Sequence, residues 1–302
     1  MDSSVIVKQV VILFLVIIVG FYASKRDIIS GDMTKKLSTL LLQVTQPLLI
    51  ISSFNFDFSK EMLRNAVLVF LLSFGIHLFS MLVGKLFYFK YPDRVKSVLK
   101  FLTVFSNCGF MGFPVLESIF GSIGVFYGSM YVIPFNILTL SYGVMVFTGK
   151  SDKDTIKKIL THPMIISVGI GMILFLFQIK LPMPVNKAVS MVGSMTSPLS
   201  MLIVGALLAV IPLKEMFKGL AVYYGSAIRL IILPLLVFAI LSLLRLPKEV
   251  LQVCVILTAM PAAANTAIFS EKYDGDAGLA SRCIGISTIL SIFTIPLIIL
   301  LL

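Results

Sequence analysis

Charge is scarce in this sequence: only 13% of its 302 residues are Asp, Glu, Lys or Arg, where a soluble domain carries about 25%. Tryptophan is absent, histidine occurs twice and cysteine three times. Each shortage excludes something. Cys108, Cys254 and Cys283 lie in or beside apolar runs and lack the spacing of a disulfide framework or a metal site, so they read as small buried hydrophobes and no metal is expected. His162 stands at a helix start with no partner nearby in sequence. A phosphate-binding glycine loop with its lysine is missing, as is the HExxH pattern of zinc hydrolases, so ATP does not drive this chain. Catalytic residues and cofactors are therefore not expected, and the reading is of a protein that is not an enzyme.

Acidic residues are also few, 14 against 25 Lys and Arg, which leaves a net charge of +11. Such a balance elsewhere points to nucleic acid. Here the basic residues sit in short loops between apolar runs, so nucleic acid is rejected as a partner and membrane lipid is expected. What the sequence has in excess is hydrophobic residues, at 58%. A spanning helix needs about 20 of them, and the apolar runs predict ten helices, near 5–24, 34–55, 63–89, 97–117, 122–148, 161–180, 186–210, 217–244, 248–272 and 277–302. The first run, Val5 to Ser24, is too long for a signal-peptide core and no small-residue cleavage site follows it. The stretch Gly149 to Leu160 is the most polar in the chain.

Loop charges give orientation. With their flanking helix ends, the loops after helices one, three, five, seven and nine hold 17 basic residues, the opposite side holds 7, and Arg229 lies within a span. The positive-inside rule then places both termini outside a plasma membrane and the 149–160 loop in the cytoplasm.

The two halves repeat each other. Thr45-Gln46-Pro47-Leu48 matches Thr196-Ser197-Pro198-Leu199, and Ile76-His77-Leu78 matches Ile228-Arg229-Leu230. Glu117, Gly121 and Gly124 match Glu271, Gly275 and Gly278, and Ile133-Pro134 matches Ile295-Pro296. The matches keep their order and a nearly constant offset. Five helices per half is an odd number, so a duplicated unit must enter the membrane in the opposite sense. The organisation expected is a first repeat over 1–148, a cytoplasmic linker over 149–160 and a second, inverted repeat over 161–302. The fold class is an all-α membrane protein of two inverted five-helix repeats, an arrangement common in secondary transporters.

The fourth helix of each half carries the most chemistry. One reads Phe105-Ser106-Asn107-Cys108-Gly109-Phe110-Met111-Gly112-Phe113-Pro114, the other Ala259-Met260-Pro261-Ala262-Ala263-Ala264-Asn265-Thr266. Glycine and proline near mid-span weaken a helix. A broken helix persists in hydrocarbon only where its freed backbone groups are paired or line a cavity. A half-helix that starts at mid-membrane points free N–H groups and a positive dipole end inward, which suits an anion. The bland alternative is a kink with asparagine as interhelical glue.

His77 and Arg229 lie deep in apolar spans at repeat-equivalent positions, where a charge is costly and marks function by default. Arg229 fits either a substrate carboxylate or a tethered cation, and His77 fits a proton carrier. For both, the alternative is a bond to a neighbouring carbonyl. Glu117 and Glu271 read as interfacial residues, or else as carboxylates for a coupling ion.

At the two broken segments the chain resembles the auxin efflux carrier family, which holds plant auxin carriers and bacterial permeases for malate, malonate and similar acids. The residues concerned are Asn107, Gly109, Gly112 and Pro114, then Pro261, Asn265, Thr266, Phe269 and Tyr273. The resemblance spans the chain. It implies a scaffold domain plus a transport domain, helices four and nine crossing at their breaks, a carboxylate bound there by Asn107 and Asn265, and an elevator-like motion. The dozen residues between helices five and six are far fewer than in the plant carriers, so a compact bacterial-type member fits better than an auxin carrier. Expected partners are a small organic anion (malate, malonate or lactate), with proton or sodium as coupling ion and a homodimer both left open. A channel or membrane sensor for a small anion is the alternative.

Overall fold

The computed structural model describes residues 3–150 and 154–302. Ser151, Asp152 and Lys153, inside the expected linker, lie outside the described residues. Helices follow one another in each apolar run: Ser3–Lys25, Gly31–Leu40 with Gln46–Ser52, Lys60–Phe87, Asp93–Val104, Phe113–Phe120, Ser122–Leu138 with Val144–Thr148, Pro163–Leu176, Met183–Ser194 with Thr196–Val210, Leu220–Ala227 with Leu233–Ser242, Lys248–Ala259, Asn265–Lys272 and Ala277–Leu300. Among the described residues, six stretches are long and apolar enough to cross a membrane: Lys8–Lys25, Lys60–Phe87, Ser122–Thr148, Met183–Val210, Leu220–Ser242 and Ala277–Leu300. Cys108–Phe120 and Pro163–Leu176 are shorter apolar helices. Extended pairing among the described residues is confined to one bridge, between Ser106 and Ala262.

Among the described residues, four wide π turns interrupt the helices, at Leu41–Thr45, Cys108–Gly112, Thr139–Gly143 and Ile228–Ile232. Three of them end two residues before a proline, namely Pro47, Pro114 and Pro234. The reason is steric. A proline in a helix lacks the N–H for the carbonyl four residues back, and its ring collides with that carbonyl. Widening the preceding turn moves the carbonyl aside and keeps the helix going. Pro134 and Pro296, matched in the sequence repeat, both lie inside helices.

The helices gather into two compact units that draw on both halves of the sequence. The first comprises the residues up to Phe70 with Gly109–Ile133 and Lys157–Val210, and the second Leu71–Cys108, Pro134–Ile156 and Ile211–Leu302.

In the first unit, Ser3–Lys25 packs against Thr196–Val210 at backbone distance. A Cβ on Gly205 would stand 2.0 Å from the Ile17 carbonyl oxygen, and one on Gly20 would stand 2.2 Å from that of Leu202. Lipid tails offer no hydrophobic drive for helix association, so such close small-residue contacts supply the attraction by dispersion. A ring cluster of Phe54, Phe126 and Phe175 fills the same unit, with centroids 4.8 and 5.4 Å apart.

In the second unit, Ala277–Leu300 is the central element. It touches Asp93–Val104, Leu220–Ala227, Lys248–Ala259 and Asn265–Lys272. Phe101 lies 4.7 Å from Phe105 and 4.9 Å from Phe269, centroid to centroid. The Tyr88 and Thr103 hydroxyls share a hydrogen bond of 2.8 Å.

The backbone contact in the first unit sets a test. Gly205→Val should lower the melting temperature of the detergent-solubilised protein, at a cost of about 1–3 kcal/mol from overpacking. Gly169→Ala, where an added Cβ meets open space, should leave it unchanged.

Candidate functional site: two broken helices joined through their backbones

Asp93–Val104 stops at mid-run, and Phe105 turns to extended geometry at φ −105°, ψ 107°. Lys248–Ala259 stops in the same way, with Met260 at φ −62°, ψ 149°. Pro261 explains the second stop, since the residue before a proline is pushed out of the helical region. The two released strands lie antiparallel in the second unit. Asn107 N–H donates to the Pro261 carbonyl at 2.8 Å, and Ala263 N–H donates to the Phe105 carbonyl at 3.2 Å. Ala262 N–H donates to the Ser287 hydroxyl oxygen at 3.1 Å. Phe105, Ser106, Asn107, Met260, Pro261, Ala262 and Ala263 are all buried. Each freed backbone group would cost several kcal/mol if left alone in hydrocarbon, so these bonds are what allows the breaks to exist.

The carbonyls at the ends of the two stopped helices need donors as well, and Arg229 supplies them. Its guanidinium is 1% exposed. Nε donates to the Met260 carbonyl at 3.0 Å, Nη1 donates to the Thr103 carbonyl at 2.7 Å, and Nη2 donates to the Thr258 carbonyl. One side chain thus caps both helix C-termini. The π turn Ile228–Ile232, set by Pro234, carries it there. Of the readings that the sequence leaves open for Arg229, these contacts are the bonds to neighbouring carbonyls.

His77 makes the contact that the bland reading expects: its Nδ1 donates to the Ser73 carbonyl at 2.6 Å. Its ring lies 6.2 Å from that of Phe105 and 5.9 Å from that of Phe135. Asn265 opens the helix Asn265–Lys272 and is half-buried. Thr266 is fully buried and its N–H donates back to Ala263 at 2.9 Å, inside the first turn. Glu271 is exposed near the far end of that helix. The second unit therefore brings together Asn107, Pro261, Asn265, Thr266, Arg229 and His77 around the crossing, and leaves Glu271 at its margin.

Gly109, Gly112, Pro114 and Glu117 belong to the first unit. Pro114 cannot serve the Phe110 carbonyl, and the Ser200 hydroxyl donates to that oxygen instead. Gln46 Nε2 donates to the Gly109 carbonyl at 3.1 Å. Glu117 is half-buried and accepts a hydrogen bond from the Ser197 hydroxyl. Glu117 and Glu271, equivalent in sequence, thus sit in unlike surroundings.

Sequence reasoning missed Thr103, Thr258, Ser287 and Ser200. The first two act through backbone carbonyls, for which no side chain gives a signal. The serines look like ordinary small residues of apolar helices. Gln46 did carry a signal, as a polar amide inside an apolar run.

Comparison with known proteins decides the family. The family described as membrane transport protein matches residues 5–299. The chain belongs to it, and so to the auxin efflux carrier family. An uncharacterised transporter of Methanocaldococcus jannaschii is 26% identical over 300 residues, covering 95% of this chain and 96% of that protein. The uncharacterised transporter YfdV of Escherichia coli K12 is 22% identical over 301 residues and 94% of each chain. A proposed malonate transporter of Rhizobium meliloti is 26% identical over 140 residues, 46% of this chain and 43% of that protein. The protein is a multi-pass membrane transporter of this family, and family and names point away from an enzyme.

The crossing yields a stability test. Ser287→Ala removes the acceptor for a buried N–H and should cost about 1–3 kcal/mol, read as a lowered melting temperature in detergent with the helical circular dichroism retained.

Proposed function

We propose that this transporter is a secondary carrier of a small organic anion, a mono- or dicarboxylate such as malate, malonate or lactate, working by alternating access. The observation that carries the reading is the buried antiparallel crossing of Phe105–Asn107 with Met260–Ala263. Beyond the crossing, Asn265–Lys272 begins with its positive dipole end at the break, where a carboxylate is favoured. Asn107 and Asn265 border this point and supply amide N–H donors to an anion. The negative ends of the partner helices are already engaged by Arg229, so the field at the crossing is left positive on the side of Asn265. The partial likeness to a proposed malonate transporter makes malonate the first substrate to try.

Around this site we place ten spans as two inverted five-helix repeats, residues 1–148 and 161–302, with both termini outside the plasma membrane and the 149–160 loop in the cytoplasm. The 17-to-7 distribution of basic residues supports that orientation. The motion is elevator-like, carrying the crossing past a scaffold, and the carrier functions as a homodimer. His77 and Glu117 are the candidates for proton coupling. Glu271, being exposed, is the weaker one.

Proteoliposomes loaded with unlabelled malonate, malate or lactate should take up the same labelled acid by counterflow, with saturation and trans-stimulation. Folded protein that exchanges no carboxylate would sink this reading, and uptake without saturation would make the protein a pore. Asn107→Ala and Asn265→Ala should each lower uptake by roughly 10- to 100-fold, the worth of one hydrogen bond to a charged group, while the protein still folds, read as retained helical circular dichroism. Wild-type uptake in both variants would move the site elsewhere.

A further inference from the structure

We infer that Arg229 is the resident cation of the crossing, held in the position that a coupling sodium ion would otherwise take. Three carbonyls converge there from two different helix ends: Thr103 from Asp93–Val104, and Thr258 and Met260 from the end of Lys248–Ala259. Carbonyls of half-helix C-termini and unwound backbone are the ligands with which transporters hold sodium at mid-membrane. Here a guanidinium donates to all three.

The charge balance fits one cation. Each helix C-terminus carries roughly half a negative charge. Two ends therefore amount to about one, which a single guanidinium neutralises. The geometry fits arginine and not lysine, because a planar fork reaches separated acceptors in fixed directions whereas an ammonium is a point charge. Burial keeps the group there: at 1% exposure and fifth position before Pro234, it is anchored by a helix widened at that turn. A bound sodium ion leaves and re-enters with each cycle. A tethered cation does not, so the crossing stays neutralised in every state and no sodium is consumed.

The occupancy of the cation position is a property of the fold, while sodium-free transport rests on the carrier reading above. Two measurements separate them. Arg229→Ala in detergent should melt at a lower temperature than wild type. Guanidinium or methylguanidinium at low, non-denaturing concentration should restore most of the loss, by binding the vacated site in the native state. Sodium and choline should restore little, and wild type should not respond to any of them. Rescue by sodium as good as by guanidinium, or no selective rescue by guanidinium, would overturn the inference. Should the alanine variant not fold, wild type still decides: a melting temperature raised by sodium over choline at equal ionic strength overturns it, and an unchanged one supports it. In proteoliposomes, malonate counterflow should be equal in sodium and in choline. Exchange only with sodium overturns the inference and leaves the carrier standing. Exchange in neither medium defeats the carrier reading, and the melting data then judge Arg229 alone.

Discussion

A peptide group taken out of water must keep a hydrogen-bond partner, and in hydrocarbon there is no solvent to provide one. The second unit of this transporter answers that constraint at a place where ordinary helices would have had no difficulty. Two helices stop in buried surroundings, and the strands between their halves pair with each other, Asn107 to Pro261 and Ala263 to Phe105. Ser287 takes the N–H that remains between them, and Arg229 takes the carbonyls at the helix ends. Remove any of these partners and the break becomes a buried defect. The site is therefore a small folding unit in its own right, with the asparagines at its edge.

The same logic explains smaller features. Pro114, two residues after a π turn, leaves the Phe110 carbonyl unserved, and the Ser200 hydroxyl serves it, beside the Gln46 bond to Gly109. Glycines serve packing instead. Gly205 and Gly20 let two helices meet at their backbones, where dispersion is the main attraction that lipid leaves available. Few charges are needed in such a protein, and the one placed deepest, on Arg229, is spent on backbone dipoles.

Function follows from which dipole ends are neutralised. The C-terminal ends that meet at the crossing are capped by a fixed cation, and the helix that restarts at Asn265 presents a positive end. An anion completes that field. In the carrier we propose, a carboxylate is recognised through the amides of Asn107 and Asn265 and a helix end.

Much of this was legible in the residues alone. Composition and run length determined a helical membrane protein, because only lipid accepts so much apolar surface. Glycine, proline and asparagine in Asn107–Pro114 and Pro261–Asn265 marked the breaks, because their backbone preferences are local. The matches of Pro47 with Pro198 and of Pro134 with Pro296 across the halves are the grounds on which a repeat is expected. What the tertiary structure alone decided is which partner each freed group finds. Arg229 lies 126 residues from Thr103 and 29 from Thr258 in the chain, and its acceptors are carbonyls that every residue owns. A side chain's identity states what it can donate. Only the fold brings three particular carbonyls to one guanidinium.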